Sequence, residues 1–167
     1  MRSGSRQMLD GEQAPLQFIV TVGLGRLARW LRLLGYDTLY LRGDAKSVAY
    51  RARAEGRILL TLDHTLTRQR DLRVVVVDST SLEEQLIQVI EGVNLRLPGN
   101  APRCMGCNEI LEELTPAEAL HYVPSHIART QKRFQRCPAC NKVYWPGTRY
   151  KGLQIRLRQV SEGRDRG

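Results

Sequence analysis

"QFIVTVGLGRLARWLRLLGYDTLY", Gln17 to Tyr40, decides how the rest of the chain is read. "QFIVTV" has the β-branched content of a buried strand. "GLGRLARWLRLLG" has the period of an amphipathic helix, and Gly35 stops it. "TLYL" then begins a second short strand. Strand, helix and strand in so short a span form the unit of a parallel sheet, because parallel neighbours need a crossover between them. At the hinge where the first strand ends stands Thr21, in the place where a hydrolytic centre wants a carboxylate.

The pattern continues downstream. Asp44 is placed to cap the helix "AKSVAYRARAEG", which Gly56 ends. "RILLTLD" and "RVVVVD" read as two further buried strands. Ser81 and Glu84 have the spacing of a capping box, opening a helix "LEEQLIQVIEG" that stops at Gly92. Near-continuous Val, Ile and Leu in strands that alternate with helices predicts a small parallel α/β sheet. "GVNLRLPGNAPR", Gly92 to Arg103, then breaks both periodicities. The organisation expected is a leader over 1–17, an α/β domain over 18–92, a cysteine-bearing module over 103–150 and a basic tail over 151–167. Within that tail "LQIRLRQV" alternates briefly before polar residues take over.

Four cysteines define the second module. Cys104 and Cys107, and after 29 residues Cys137 and Cys140, make two CxxC pairs inside "RCMGCN" and "RCPACN". Two matched pairs are what four tetrahedral thiolates around one ion require, and the absence of a histidine partner points to structural zinc. Such a module buries little core, so zinc binding supplies much of its folding free energy, on the order of 10–16 kcal/mol. The insert between the pairs carries a helix start at Thr115-Pro116-Ala117-Glu118, and "KVYW" after the last pair reads as a strand.

Charge bounds the partners. Twenty-six Lys and Arg against 17 acids give +9 in 167 residues, with a pI near 9.9. Solubility is the bland reading; a polyanionic partner is the sharper one, and arginine in excess of lysine favours bidentate phosphate contacts. No apolar run reaches membrane-span length, no basic amphipathic helix carries an aromatic face, and the N-terminus has no apolar signal region. A nucleic acid is therefore the expected partner and the cytoplasm the expected place, without a membrane role. On the opening helix Arg26, Arg29 and Arg32 fall opposite the Leu24, Leu27, Leu31 and Leu34 stripe, so all three are candidate phosphate contacts; a solvated charge face is the alternative.

Candidate catalytic groups come from strand ends, since the crevice of an open parallel sheet lies outside the carboxyl ends of its strands. Asp63 and Asp78 end strands there, and Asp44 begins a helix over the same edge. Convergent carboxylates of this kind hold Mg2+ or Mn2+. Helix capping is the competing role of Asp44, and a turn that of Asp78. Gly23 and Gly25 form a lone Gly-x-Gly without the third glycine of a dinucleotide site.

"LGRLARWLRLLGYDTLY", "EGRILLTLD", the "EQL" of the third helix, "RCMGCN" and "RCPACNKVYWPGT" together resemble the Mut-seven C-terminal RNase family, PIN-like nuclease domains carrying a zinc ribbon. The resemblance runs from Phe18 to about Arg149. It implies a PIN-like fold, a divalent metal at clustered acids, and RNA as substrate. It also implies an Asp where Thr21 stands, a Met or His at Gly23, arginines flanking Asp63, and a His at Arg149. The expectation is a ribonuclease-family protein that binds RNA, with cleavage weakened at Thr21. The alternatives are a catalytically silent RNA-binding module, or an adaptor whose zinc ribbon holds a protein partner.

Overall fold

A computed structural model describes residues 14–97 and 101–163. Most of the expected leader (1–13), part of the linker (98–100) and the end of the tail (164–167) lie outside the described residues. β1 (Phe18–Val20), β2 (Thr38–Tyr40), β3 (Ile58–Thr61) and β4 (Val74–Val76) form a parallel sheet in the order β2-β1-β3-β4. Between them run α1 (Gly25–Leu33), α2 (Ala45–Glu55) and a 3-10 turn (His64–Arg68), and α3 (Leu82–Val93) follows β4.

The sheet is covered on both sides, which is why its strands carry no polar face. Phe18, Val20, Ile58 and Leu60 point to one side, where they pack with Leu27 and Leu31 of α1 and Leu86 and Ile90 of α3. Ile19 and Leu59 point to the other, against Val48 and Ala52 of α2 and Leu66 of the 3-10 turn. Period-2 alternation between two apolar layers gives a continuous apolar run. Helix α2 starts on Asp44, whose carboxylate accepts from Ser47 N, and stops at Gly56, a left-handed residue at φ 64°. The β1–α1 turn needs Gly23 for its backbone, at φ 95°.

Helix α3 departs from its expected ends. Ser81 is the N-cap residue but its side chain makes no capping bond. The Ser79 hydroxyl takes that place: it bonds the Glu84 carboxylate and accepts from Ser81 N at 3.1 Å. Nor does Gly92 stop the helix, which ends at Asn94 with φ 52°. A Cβ at Gly92 would meet both Val75 methyls at 3.0 Å, so this glycine serves the close approach of α3 to β4.

The second module is an antiparallel sheet of β5 (Glu112–Leu114), β6 (Phe134–Arg136) and β7 (Val143–Tyr144), ordered β5-β6-β7. Two short helices, α4 (Pro116–Ala119) and α5 (Ser125–Thr130), fill the insert, and the Thr115–Glu118 capping box forms. Residues expected as a basic tail form most of α6 (Thr148–Gly163). Leu153 and Leu157 of α6 are buried in the main core. The alternation in "LQIRLRQV" is thus one face of a helix, an i, i+4 pair and not a strand. The fold is a small PIN-like α/β sheet followed by a four-cysteine ribbon, with the last helix returning to the first layer.

Candidate functional site

Strand order fixes where a ligand can enter. With β1 central, the chain crosses to β2 on one side and then to β3 on the other, so the topological switch point lies between β1 and β3. Val20 pairs with Leu60 in that register. Thr21 and Thr61 therefore meet at the carboxyl edge, with their hydroxyls 3.3 Å apart. Thr61 is almost wholly buried and its hydroxyl accepts from Asp63 N at 3.1 Å. Val22 and Leu62, each about half exposed, follow the two threonines. Thr61 was not legible as a site residue, because a threonine inside an apolar strand carries no signal of its own.

The three candidate acids follow the carboxyl ends of β2, β3 and β4, yet each is engaged locally. Asp63 accepts from Thr65 N at 2.8 Å and Thr65 Oγ1 at 2.7 Å, capping the 3-10 turn. Asp44 accepts from Ser47 N at 3.0 Å and Ser47 Oγ at 2.6 Å. Those hydrogen bonds hold both carboxyls below the usual carboxylate range. The Asp78 carboxylate accepts from Gln88 Nε2 on α3. The acids share an edge but do not close on one ion. Among the described residues, the cysteines form the one group of three or more His, Cys, Asp or Glu whose ligand atoms all lie within 4.8 Å of one another. As placed, the carboxylates do not fit a preassembled Mg2+ or Mn2+ cage.

The cysteines do fit a metal. Zn–S bonds of about 2.3 Å imply a tetrahedral edge of roughly 3.8 Å between sulfurs. Cys104 Sγ and Cys140 Sγ lie 3.7 Å apart, far beyond a disulfide bond of about 2.05 Å. Both knuckles fold alike: Asn108 N donates to Cys104 O and Asn141 N to Cys137 O, each at 2.9 Å. Asn108 and Asn141 sit at φ 65° and 61°, which accounts for the shared Asn at the end of each knuckle. Burial raises the Cys104 thiol, but hydrogen bonds from Tyr144 Oη and from the Cys107 and Gly106 N–H groups outweigh it and bring it to about 6. Cys107 is pushed the other way, up to about 12, first by its hydrogen bond with Cys140, and burial raises Cys137, so zinc would have to displace protons from those thiols on binding.

A family model, the Mut7-C RNAse domain, matches residues 16–157, a span that takes in the sheet, both knuckles and most of α6. The chain belongs to the Mut7-C RNAse domain family. No curated protein and no solved structure matches it.

In this Mut7-C domain the three arginines of α1 separate. Arg26 and Arg29 are exposed, but Arg32 is only 9% exposed. Its Nε donates to Thr38 O at 2.8 Å, and its Nη1 to Met105 O at 2.7 Å and Gly106 O at 3.3 Å. Arg32 is thus not free to contact phosphate, correcting its reading as an RNA contact. Steps of three residues drift by about 60° each, so Arg32 lies roughly 120° from Arg26, at the border of the leucine stripe. The first zinc knuckle covers that border. Among the described residues, no helix is long and apolar enough to cross a membrane.

A second set of polar residues, also illegible in the sequence, fastens the same knuckle to the amino edge of the sheet. Asn108 Oδ1 accepts from Thr38 N at 3.1 Å, and its Nδ2 donates to Asp37 at 2.7 Å. Arg57 and Gln17 donate to the same carboxylate, at 2.9 and 3.1 Å. Gln17, Asp37 and Arg57 each immediately precede a strand, so parallel pairing brings them level. Burial alone would raise the Asp37 pKa; hydrogen bonds from Arg57 and Asn108 hold it below the ordinary value.

Proposed function

We propose that this Mut7-C chain binds RNA over its arginine-rich surface, and that the carboxyl edge around Thr21 and Asp63 is a ribonuclease centre of low activity. The observation that carries this is the meeting of Thr21, Thr61 and Asp63 at the β1–β3 switch point. That crevice is where open parallel sheets take their ligands, and the family is one of ribonuclease domains. Threonine at position 21 offers only a neutral hydroxyl, so the wild-type edge has one carboxylate fewer with which to hold a divalent ion, which is why its activity is set low. Arg26 and Arg29 on the exposed side of α1 supply phosphate contacts in this reading.

A silent RNA-binding module is the second reading. The engagement of Asp63 and Asp44 in local capping favours it, because neither carboxylate is free of a structural role.

Cleavage of mixed single-stranded RNA in Mg2+ and in Mn2+ separates the two. Thr21→Asp sets a carboxylate beside the Thr61 hydroxyl and should raise cleavage by roughly 10- to 100-fold, the scale of a supporting group at a metal site. Asp63→Asn should remove what Thr21→Asp confers. In the same RNA, Arg26→Gln with Arg29→Gln should flatten the salt dependence of binding by about 0.7 for each phosphate no longer neutralised. Strong wild-type cleavage indifferent to Asp63→Asn would overturn the assignment of the edge. Intact RNA binding with no cleavage in Thr21→Asp would establish the silent module.

A further inference from the structure

Away from the carboxyl edge, a cleft of about 770 Å³ opens between α1, the ribbon and α6. Its walls hold Trp30, Tyr144, Trp145 and Tyr150, with Arg133 and Arg158 beside them. Both tryptophans of the chain line it. Trp30 and Tyr150 already stack, at 5.7 Å between centroids and 27° between planes. Trp145 is 38% exposed and meets Phe134 only at a tilted 6.4 Å. Arg158 is exposed. Glu113 also lines the cleft, but it pairs with Arg133 at 3.5 Å and accepts from Gln135 at 3.3 Å. Aromatic faces flanked by cations are what a single strand needs: rings to stack bases and charges to hold the backbone.

Helix α1 extends this surface. At about 100° per residue, Arg26, Arg29, Trp30 and Leu33 fall within one arc of about 100°. Trp30 and Leu33 line the cleft. The exposed Arg29 and Arg26 lie further up the same arc, toward the start of α1 at the carboxyl edge. From Leu33 to Arg26 is a climb of roughly 10 Å.

We propose that the cleft stacks one or two bases of a single-stranded RNA, whose backbone leaves over Arg29 and Arg26 toward the Thr21–Asp63 edge. This rests on the RNA-binding reading above and names where the strand is held. A proline-rich peptide would also suit aromatic walls, but it gives no use to the exposed Arg158, Arg29 and Arg26.

The test is binding without cleavage, using a 12-nucleotide oligouridylate in buffer free of divalent metal. Anisotropy of labelled RNA and intrinsic tryptophan emission are read together. Because both tryptophans line the cleft, wild-type binding should quench emission in step with anisotropy. Trp145→Ala should weaken binding roughly 5- to 100-fold, the range for one stacked base. Trp145→Phe, which keeps a ring, should stay within about threefold of wild type. Arg158→Gln should lower the salt slope by about 0.7. Zinc content and far-ultraviolet circular dichroism confirm that each variant is folded. RNA binding that leaves emission and the Trp145→Ala affinity unchanged overturns the cleft but spares the RNA reading. No RNA binding by wild type overturns both. Quenching by a proline-rich peptide that RNA cannot displace assigns the cleft to a protein partner and overturns the proposal.

Discussion

Replacing Arg32 by methionine removes the tie between the zinc knuckle and the sheet layer. The guanidinium makes two good bonds to backbone carbonyls, Nε to the buried Thr38 O at 2.8 Å and Nη1 to the half-buried Met105 O at 2.7 Å, and a longer one to Gly106 O at 3.3 Å. Hydrogen bonds from charged donors contribute about 1.5–3 kcal/mol each, so the two good ones are worth roughly 3–6 kcal/mol. Burying the cation offsets part of that, and methionine restores some packing. A net loss of about 2–4 kcal/mol follows. With a urea slope of about 1–3 kcal/mol/M, the unfolding midpoint should fall by on the order of 1–2 M. Zinc release to a chromogenic chelator should also speed up, because the carbonyls that lose their donor belong to residues between Cys104 and Cys107. Arg32→Lys keeps the charge but cannot serve both carbonyls from a planar fork, and should recover less than half of the loss. A methionine variant with wild-type midpoint and wild-type zinc release would refute the assignment. So would Arg32→Gln that lowers only the salt slope of RNA binding, since that is the behaviour of a phosphate contact.

Two further outcomes complete the set. Elemental analysis should find one zinc per chain, with sulfur distances near 2.3 Å by X-ray absorption; Cys104→Ser or Cys137→Ser should lose the metal and with it the Asn108 contacts to β2, seen as faster amide exchange at Thr38. Asp37 has a depressed carboxyl in the folded protein. Its contribution to stability is therefore full above the unfolded value of about 3.9 and is lost as pH falls through the lower folded value. Urea midpoints measured down through this acid window should drop more steeply for wild type than for Asp37→Asn, and equal slopes would remove Asp37 from the acid response.

Much of the fold follows from local chemistry, and so was open to reading. Residues 17–40 carry strand, helix and strand in their periods; Asp44, Gly56 and the Thr115–Glu118 box mark helix ends because capping involves only a turn of chain. The zinc site is legible for a similar reason, since each CxxC knuckle is a local loop and two of them complete a tetrahedron. Three features resisted. Ser79 displaced Ser81 as the partner of Glu84, a choice between neighbouring hydroxyls set by the course of the turn. The apolar stripe of α6 is too sparse to declare itself until Leu153 and Leu157 find α3 and the sheet. Arg32 has the same sequence credentials as Arg26 and Arg29, and only the docking of the knuckle makes it a buried tie.

The candidate site divides along the same line. That Thr21 ends a strand and carries no charge is a property of the sequence. That it meets Thr61, and that Asp63 follows beside them, is not, because strand order is set by how the crossovers pack and not by any residue at the edge. The aromatic cleft is wholly tertiary: Trp30 lies on α1, whereas Trp145, just after β7, and Tyr150, on α6, come from the other end of the chain. They share a wall because α6 folds back across α1 while the zinc ribbon is held against the end of the sheet.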